Sequence, residues 1–233
     1  MSSTVAARNV DAPVAPWWHT ALVMLIFGAG AVADRHGFVS IPLPKLSARA
    51  SEYITILLME WLVVLLIWVE LRRRKLPIDV LINARWRKAS AILKDLGWAI
   101  AFLLVATPSL ELLSRLARAR YDATAILPTT WFAMSLWLVV AATAGFCEEL
   151  TFRGYLYRQF RAWSGYRAVG VLLQGIAFGL THAYQGWRMM IVITVFGWMF
   201  GAFALWRKSL APGMLAHGIQ DAAGGLIVFL SRR

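Results

Sequence analysis

The chain has 233 residues, of which 60% are hydrophobic and 15% charged, against about 45–50% and about 25% in a soluble domain. A chain this small lacks the interior to hide that much apolar surface, so an ordinary soluble domain, a disordered chain and a collagen-like one are excluded and an integral membrane protein remains. The net charge of +12, from 24 Lys+Arg against 12 Asp+Glu, sits mostly between apolar runs, where it reads as orientation signals and lipid head-group contacts rather than a nucleic-acid surface.

A spanning helix needs about 20 mainly apolar residues. Seven runs are candidates: 17–33, 53–71, 96–113, 129 to beyond 147, 168–183, 189–206 and 210–230. The expected fold is all-α, a polytopic transmembrane bundle of about seven spanning helices. A cytosolic tail, 1–16, leads into an N-terminal membrane region, 17–128, and then a core, 129–230. In the first run Ala31-Val32-Ala33 resembles a cleavage site. The long, weakly basic segment before it and the six later runs favour a retained helix. Trp17, Trp18, Trp61, Trp98, Trp131, Trp163, Trp187 and Trp206 lie mostly near run ends, as an aromatic belt does.

The loop 72–94 carries Arg72, Arg73, Arg74, Lys75, Arg85, Arg87, Lys88 and Lys94, and is expected in the cytoplasm. Alternation then puts the N-terminus, the 153–167 turn and Arg207-Lys208 on the same side. Arg115, Arg118 and Arg120 fall outside, against the rule. Cys147 is the single cysteine, so no intrachain disulfide forms, which fits a reducing face.

Ionisable groups inside spanning runs are costly and mark function by default. Glu60 and Glu111 read as buried carboxyls, protonated or paired, and are set aside. Glu149 and Arg153 are i,i+4 neighbours and able to pair, while Glu148 points about 100° away. If one helix runs from about 129 to a turn at Ser164-Gly165 and the next returns, Glu148 and His182 both lie roughly 24–26 Å from that turn. They are then at one depth, with Phe178 beneath the His182 ring. His217 and Asp221 share a face. That Asp has three options: it orients the histidine, ligates a metal with it, or donates a hydrogen bond if protonated. His217 lies only roughly 12 Å from the Arg207-Lys208 loop, which leaves a gap in depth. Tilt, a break near Pro212-Gly213 or a water-filled cavity has to close it.

Three patterns run through these residues. Glu148-Glu149-Leu150-Thr151-Phe152-Arg153 reads EExxxR, and Phe178 to His182 reads FxxxH. Ser209-Leu210-Ala211-Pro212 is followed by His217 and Asp221 as HxxxD. Together, over about 129–230, they resemble the CPBP intramembrane proteases, the CAAX-protease and bacteriocin-processing family also called Abi. The resemblance implies an all-helical endopeptidase with a polar active-site cavity in the C-terminal half of the bundle, acting on a membrane-associated protein or peptide in the lipid bilayer. Its substrate would be a prenylated CAAX-like protein or a leader peptide. It implies Glu148 as general base on water, helped by His182, with Glu149 and Arg153 as support. His217 and residue 221 would stabilise the oxyanion. Asp221 stands where the CAAX enzymes have Asn, and an ionised Asp repels an oxyanion. It must therefore be protonated or only orient His217.

No cofactor is expected. A Zn²⁺ version would use Glu148, His182, His217 and Asp221, without an H-E-x-x-H. Cys147 reads as a small apolar filler, and the glycines of the last three runs as sites of close helix packing. The expected location is a prokaryotic cytoplasmic membrane, with the N-terminus inside. The alternative functions are a non-enzymatic immunity or adaptor protein of the same fold, and a proton-coupled transporter.

Overall fold

A computed structural model describes residues 12–35, 41, 43, 46–84, 86–121 and 126–232. Residues 1–11 of the expected tail and Arg85 of the basic loop lie outside these. Among the described residues there are helices and no strand. They are α1 (Trp17–Arg35), α2 (Ala48–Arg73), the short α3 (Asp79–Ile82) and α4 (Ala89–Leu116). Then comes one 34-residue helical rod, Trp131–Ser164. It consists of α5 (Trp131–Glu149), a π-helical stretch (Leu150–Leu156) and α6 (Tyr157–Ser164). After it come α7 (Arg167–Thr181), a 3₁₀ turn (Ala183–Gln185), α8 (Trp187–Arg207) and α9 (Ala211–Ser231). All seven expected runs are helical. Five helices are long and apolar enough to cross a membrane: α2, α4, the α5–α6 rod, α8 and α9. The other two runs are shorter apolar helices, Trp17–Gly30 and Arg167–Thr181.

Local chemistry explains the ends. Ser47 and Thr130 accept hydrogen bonds from the amides of Ala50 and Ala133, starting α2 and α5. Gly165, at φ +76°, ends α6 in the left-handed conformation that glycine adopts without cost. Pro108 lies inside α4 without ending it. Next to it Ser109 Oγ donates to Val105 O, the kind of polar support that makes a proline tolerable in a membrane helix.

Outward faces carry exposed apolar side chains such as Leu58, Leu104 and Ile227, as lipid-facing surfaces do. The core is aromatic, built on Phe152, Tyr155, Phe178, Phe196 and Phe200. N-terminal residues are tied into it by polar contacts. Gln159 Oε1 accepts from the amides of Val14 and Ala15, and Tyr155 Oη bonds His19 and Thr20.

Helix α9 packs antiparallel along α5, and α8 along α7. The contact of α5 with α9 is close enough that a Cβ on Gly145 would meet Met214 O at 2.6 Å and Gly218 N at 2.7 Å. At Gly197 a Cβ would lie 2.8 Å from Gly175 Cα. Gly175 and Gly197 therefore serve helix packing, as expected, and Gly145, outside the last three runs, does so too.

This packing closes the gap in depth. Leu210 is buried at 4% exposure, and its amide donates to Ile82 O. A Cβ on Gly154 would touch Leu210 Cδ1 at 3.1 Å. Helix α9 therefore starts inside the bundle, level with Gly154, with Pro212 in its first turn. Glu148 lies roughly 9 Å from that level and His217 roughly 10 Å, in the same direction.

Candidate active site

Three structural elements bring the predicted residues together around Phe178. Glu148 and Glu149 end α5, with Arg153 in the π-helical stretch that follows. His182 caps the C-terminus of α7. His217 and Asp221 lie one turn apart on α9. Single π turns inside an α-helix recur at functional sites.

Glu149 Oε1 and Arg153 Nη1 are 3.0 Å apart, and both side chains are fully buried. The expected pairing is present, and it extends further. His217 Nδ1 lies 3.2 Å from the same Oε1. An ionised carboxylate only accepts, so Nδ1 is the donor there. The other ring nitrogen, Nε2, lies 3.6 Å from Glu148 Oε2 and 3.6 Å from Asp221 Oδ2. Three carboxyl groups thus surround one imidazole. Their exposures differ: Glu149 0%, Glu148 17%, Asp221 33%. The buried one is tied to Arg153, and the two that reach solvent flank Nε2.

The Arg153 guanidinium lies 4.2 Å from the Phe178 ring centroid and 5.1 Å from that of Phe200, so ring quadrupoles help hold its charge. His182 is held by its own helix end. Its Nδ1 is 3.0 Å from Phe178 O and 3.1 Å from Thr181 Oγ1. A carbonyl only accepts, so Nδ1 carries the hydrogen and Nε2 keeps a lone pair. The ring packs tilted against Phe178, at 57° with centroids 4.9 Å apart, as its i,i+4 spacing implied, while His217 lies 6.1 Å from Phe178 on an edge-on approach.

Phe178 meets Phe152 at 5.1 Å, which puts His182, one turn further on, at the level of Glu148. No hydrogen bond or ion pair joins Glu148 to His182 among the described residues. The direct partner of Glu148 is His217, and sequence spacing had matched it instead to His182.

Two residues set aside from the sequence separate here. Glu111 pairs with Arg115 at 2.8 Å, and both are exposed. Glu60, on α2, is buried at 6% exposure and turns into the site. Thr143, Glu148, His217 and Asp221 lie within electrostatic range of Glu60. A charge in mid-span marked Glu60, but no spacing rule relates a face of α2 to α5. Cys147 is buried in the apolar core, in keeping with a filler. Among the described residues no three His, Cys, Asp or Glu side chains form a group able to hold a metal ion.

Such a cluster in a membrane bundle pairs a water-accessible carboxylate with an imidazole whose orientation is fixed from behind. That combination suits water activation. Residues 129–223 match the family model for Rce1-like type II CAAX prenyl endopeptidases, and all six predicted site residues fall within them. No curated protein and no solved structure gives a match. The protein is an integral membrane protein, and its residues 129–223 are similar to the Rce1-like type II CAAX prenyl endopeptidases.

Proposed function

We propose that the chain is an intramembrane endopeptidase that hydrolyses a peptide bond of a membrane-associated protein by activating water without a metal. The observation that carries this reading is the convergence of Glu148 Oε2 and Asp221 Oδ2 on His217 Nε2, with Glu149 and Arg153 locked behind the ring. In this reading Glu148 takes the proton of a water, and the His182 Nε2 lone pair helps to hold that water. His217 donates from Nε2 to the scissile carbonyl oxygen as it gains charge. Glu149 fixes the ring through Nδ1, Arg153 fixes Glu149, and Asp221 orients His217 from the Nε2 side. A positioned general base contributes about 10²–10⁴-fold and an oxyanion donor about 10²–10³-fold. The family supports a membrane-associated protein substrate, and a prenylated CAAX-like protein or a leader peptide is the proposed class.

Membrane peptidomes of cells producing wild-type or Glu148→Ala protein at equal levels test the proposal. Fragments present with wild type and absent with the variant, chelator or not, are the expected result. Identical peptidomes contradict the peptidase reading. Cleavage that a chelator removes and Zn²⁺ restores contradicts the metal-free route.

A further inference from the structure

Away from Glu148 and the histidines, a cavity of about 310 Å³ opens where α3, the π-helical stretch, α6, the start of α7 and the α8–α9 turn meet. Among the described residues its wall carries Arg153, Arg158, Arg161, Arg167 and Lys208, and no carboxylate. The cations are graded in depth. Arg153 is buried, Arg158 and Arg161 are half-buried, and Arg167 and Lys208 are exposed. Glu149 balances Arg153 from the other side, and Arg158 spends one donor on the uncharged carbonyl of Val80. Like charges gathered in a partly enclosed, low-dielectric space repel one another strongly unless a counter-ion is present.

Two buried groups in the same wall make an independent observation. Tyr157 is 8% exposed, and among the described residues its hydroxyl has no hydrogen-bond partner. Arg153 is 3% exposed, and its Nε and Nη2 have none either. Buried donors of this kind are rarely left unpaired and call for a ligand.

We propose that this cavity is a phosphate-binding site, with the Arg153 guanidinium and the Tyr157 hydroxyl at its floor and Arg158, Arg167 and Lys208 around its mouth. A phosphate group offers at least one full negative charge and several acceptor oxygens, which suits guanidinium forks together with a hydroxyl donor. The same end of the bundle carries the exposed indoles of Trp163 and Trp206, the side chains that settle at head-group level. The phosphate therefore comes from an anionic phospholipid head group or from free phosphate. This inference stands apart from the peptidase reading, and its test does not use cleavage.

The full-length protein is placed in phosphatidylcholine nanodiscs alone, with added phosphatidylglycerol, or with added inorganic phosphate, and its thermal midpoint is measured. Site occupancy well above Kd raises the wild-type midpoint by roughly 5–10 °C. A rise with phosphatidylglycerol alone assigns the head group, and a rise with inorganic phosphate assigns the free anion. Tyr157→Phe, which removes one oxygen, and the pair Arg167→Gln with Lys208→Asn should each lose at least half of that rise. Asn at 208 keeps the left-handed backbone there accessible. Equal midpoints in plain phosphatidylcholine show that these variants fold as the wild type does. The pair Arg72→Gln with Arg73→Gln, at the same end but outside the cavity, should keep the full rise. The proposal is overturned if neither phosphate source shifts the wild type, if the cavity variants shift as much as it does, or if the control pair loses as much as they do.

Discussion

Glu149 is the residue on which the polar cluster turns, because it is fully buried and holds Arg153 and His217 with one oxygen. Removing one member of a buried ion pair costs about 3–5 kcal/mol, because the other charge is left uncompensated. Arg153→Met and Glu149→Gln should each lower unfolding stability in detergent by that order. The double variant should recover most of the loss, because no lone charge stays buried. Additive losses in the cycle would show that the pair does not act as a unit. Asp221 makes a different test. If it serves by orienting His217 through hydrogen bonding, Asp221→Asn should stay within about tenfold of wild-type cleavage. Asp221→Leu should fall by about 10²-fold or more, as when an oxyanion-site group is lost. Equal loss in both variants would mean that the carboxylate charge itself is required. The i,i+4 rule made the Glu149–Arg153 and Phe178–His182 pairs legible in the sequence. The bond from Glu149 to His217 was not legible, because it joins residues 68 positions apart on different helices. Only the register of α5 against α9 sets it.

That register belongs to the elements. The gap in depth between Glu148 and His217 disappears because α9 begins buried beside Gly154, which no count of residues from a membrane surface could reveal. The π-helical stretch Leu150–Leu156 was equally hidden, since LTFRGYL carries no pattern distinct from an α-helix. Gly145 was not legible, because the sequence marked only the glycines of the last three runs as packing sites. Gly145→Val tests the register. Its Cβ would meet two backbone atoms of α9 within 2.7 Å, and backbone cannot swing aside as a side chain can. Overpacking of this kind costs about 1–3 kcal/mol. The variant should lose cleavage more than about tenfold while still inserting, because separating the helices carries His217 away from Glu148. Wild-type kcat in Gly145→Val would show that the α5–α9 contact does not set the site.

At the scale of the whole molecule, composition alone announced a membrane bundle, and the apolar runs located its helices. The number of crossings was less legible. The 15 residues of α7 extend only about 22 Å, short of the roughly 30 Å hydrocarbon core. The proposed orientation puts the N-terminus and the 72–94 loop in the cytoplasm. Glu111, Arg115, Arg118, Arg120 and Arg188 line a cavity of about 970 Å³ at the other end, so that cluster opposes the positive-inside rule. Because Cys147 is 1% exposed, introduced cysteines report the topology with little background. Lys75→Cys should react with a membrane-impermeant maleimide only after permeabilisation, and Arg118→Cys already in intact cells. The reverse pattern would invert the protein. The N-terminal half also contributes what no motif indicated: Glu60, from α2, beside Glu148 and His217.

The most direct measurement of peptide hydrolysis at this cluster is isotope incorporation by purified protein in liposomes, supplied with membrane-anchored peptides in ¹⁸O-labelled water. Wild-type protein should release fragments with one ¹⁸O in the new carboxylate, and folded Glu148→Gln should do so at least about 10²-fold more slowly. Label appearing equally fast with Glu148→Gln, or no cleavage of any anchored peptide by folded wild type, would contradict the account.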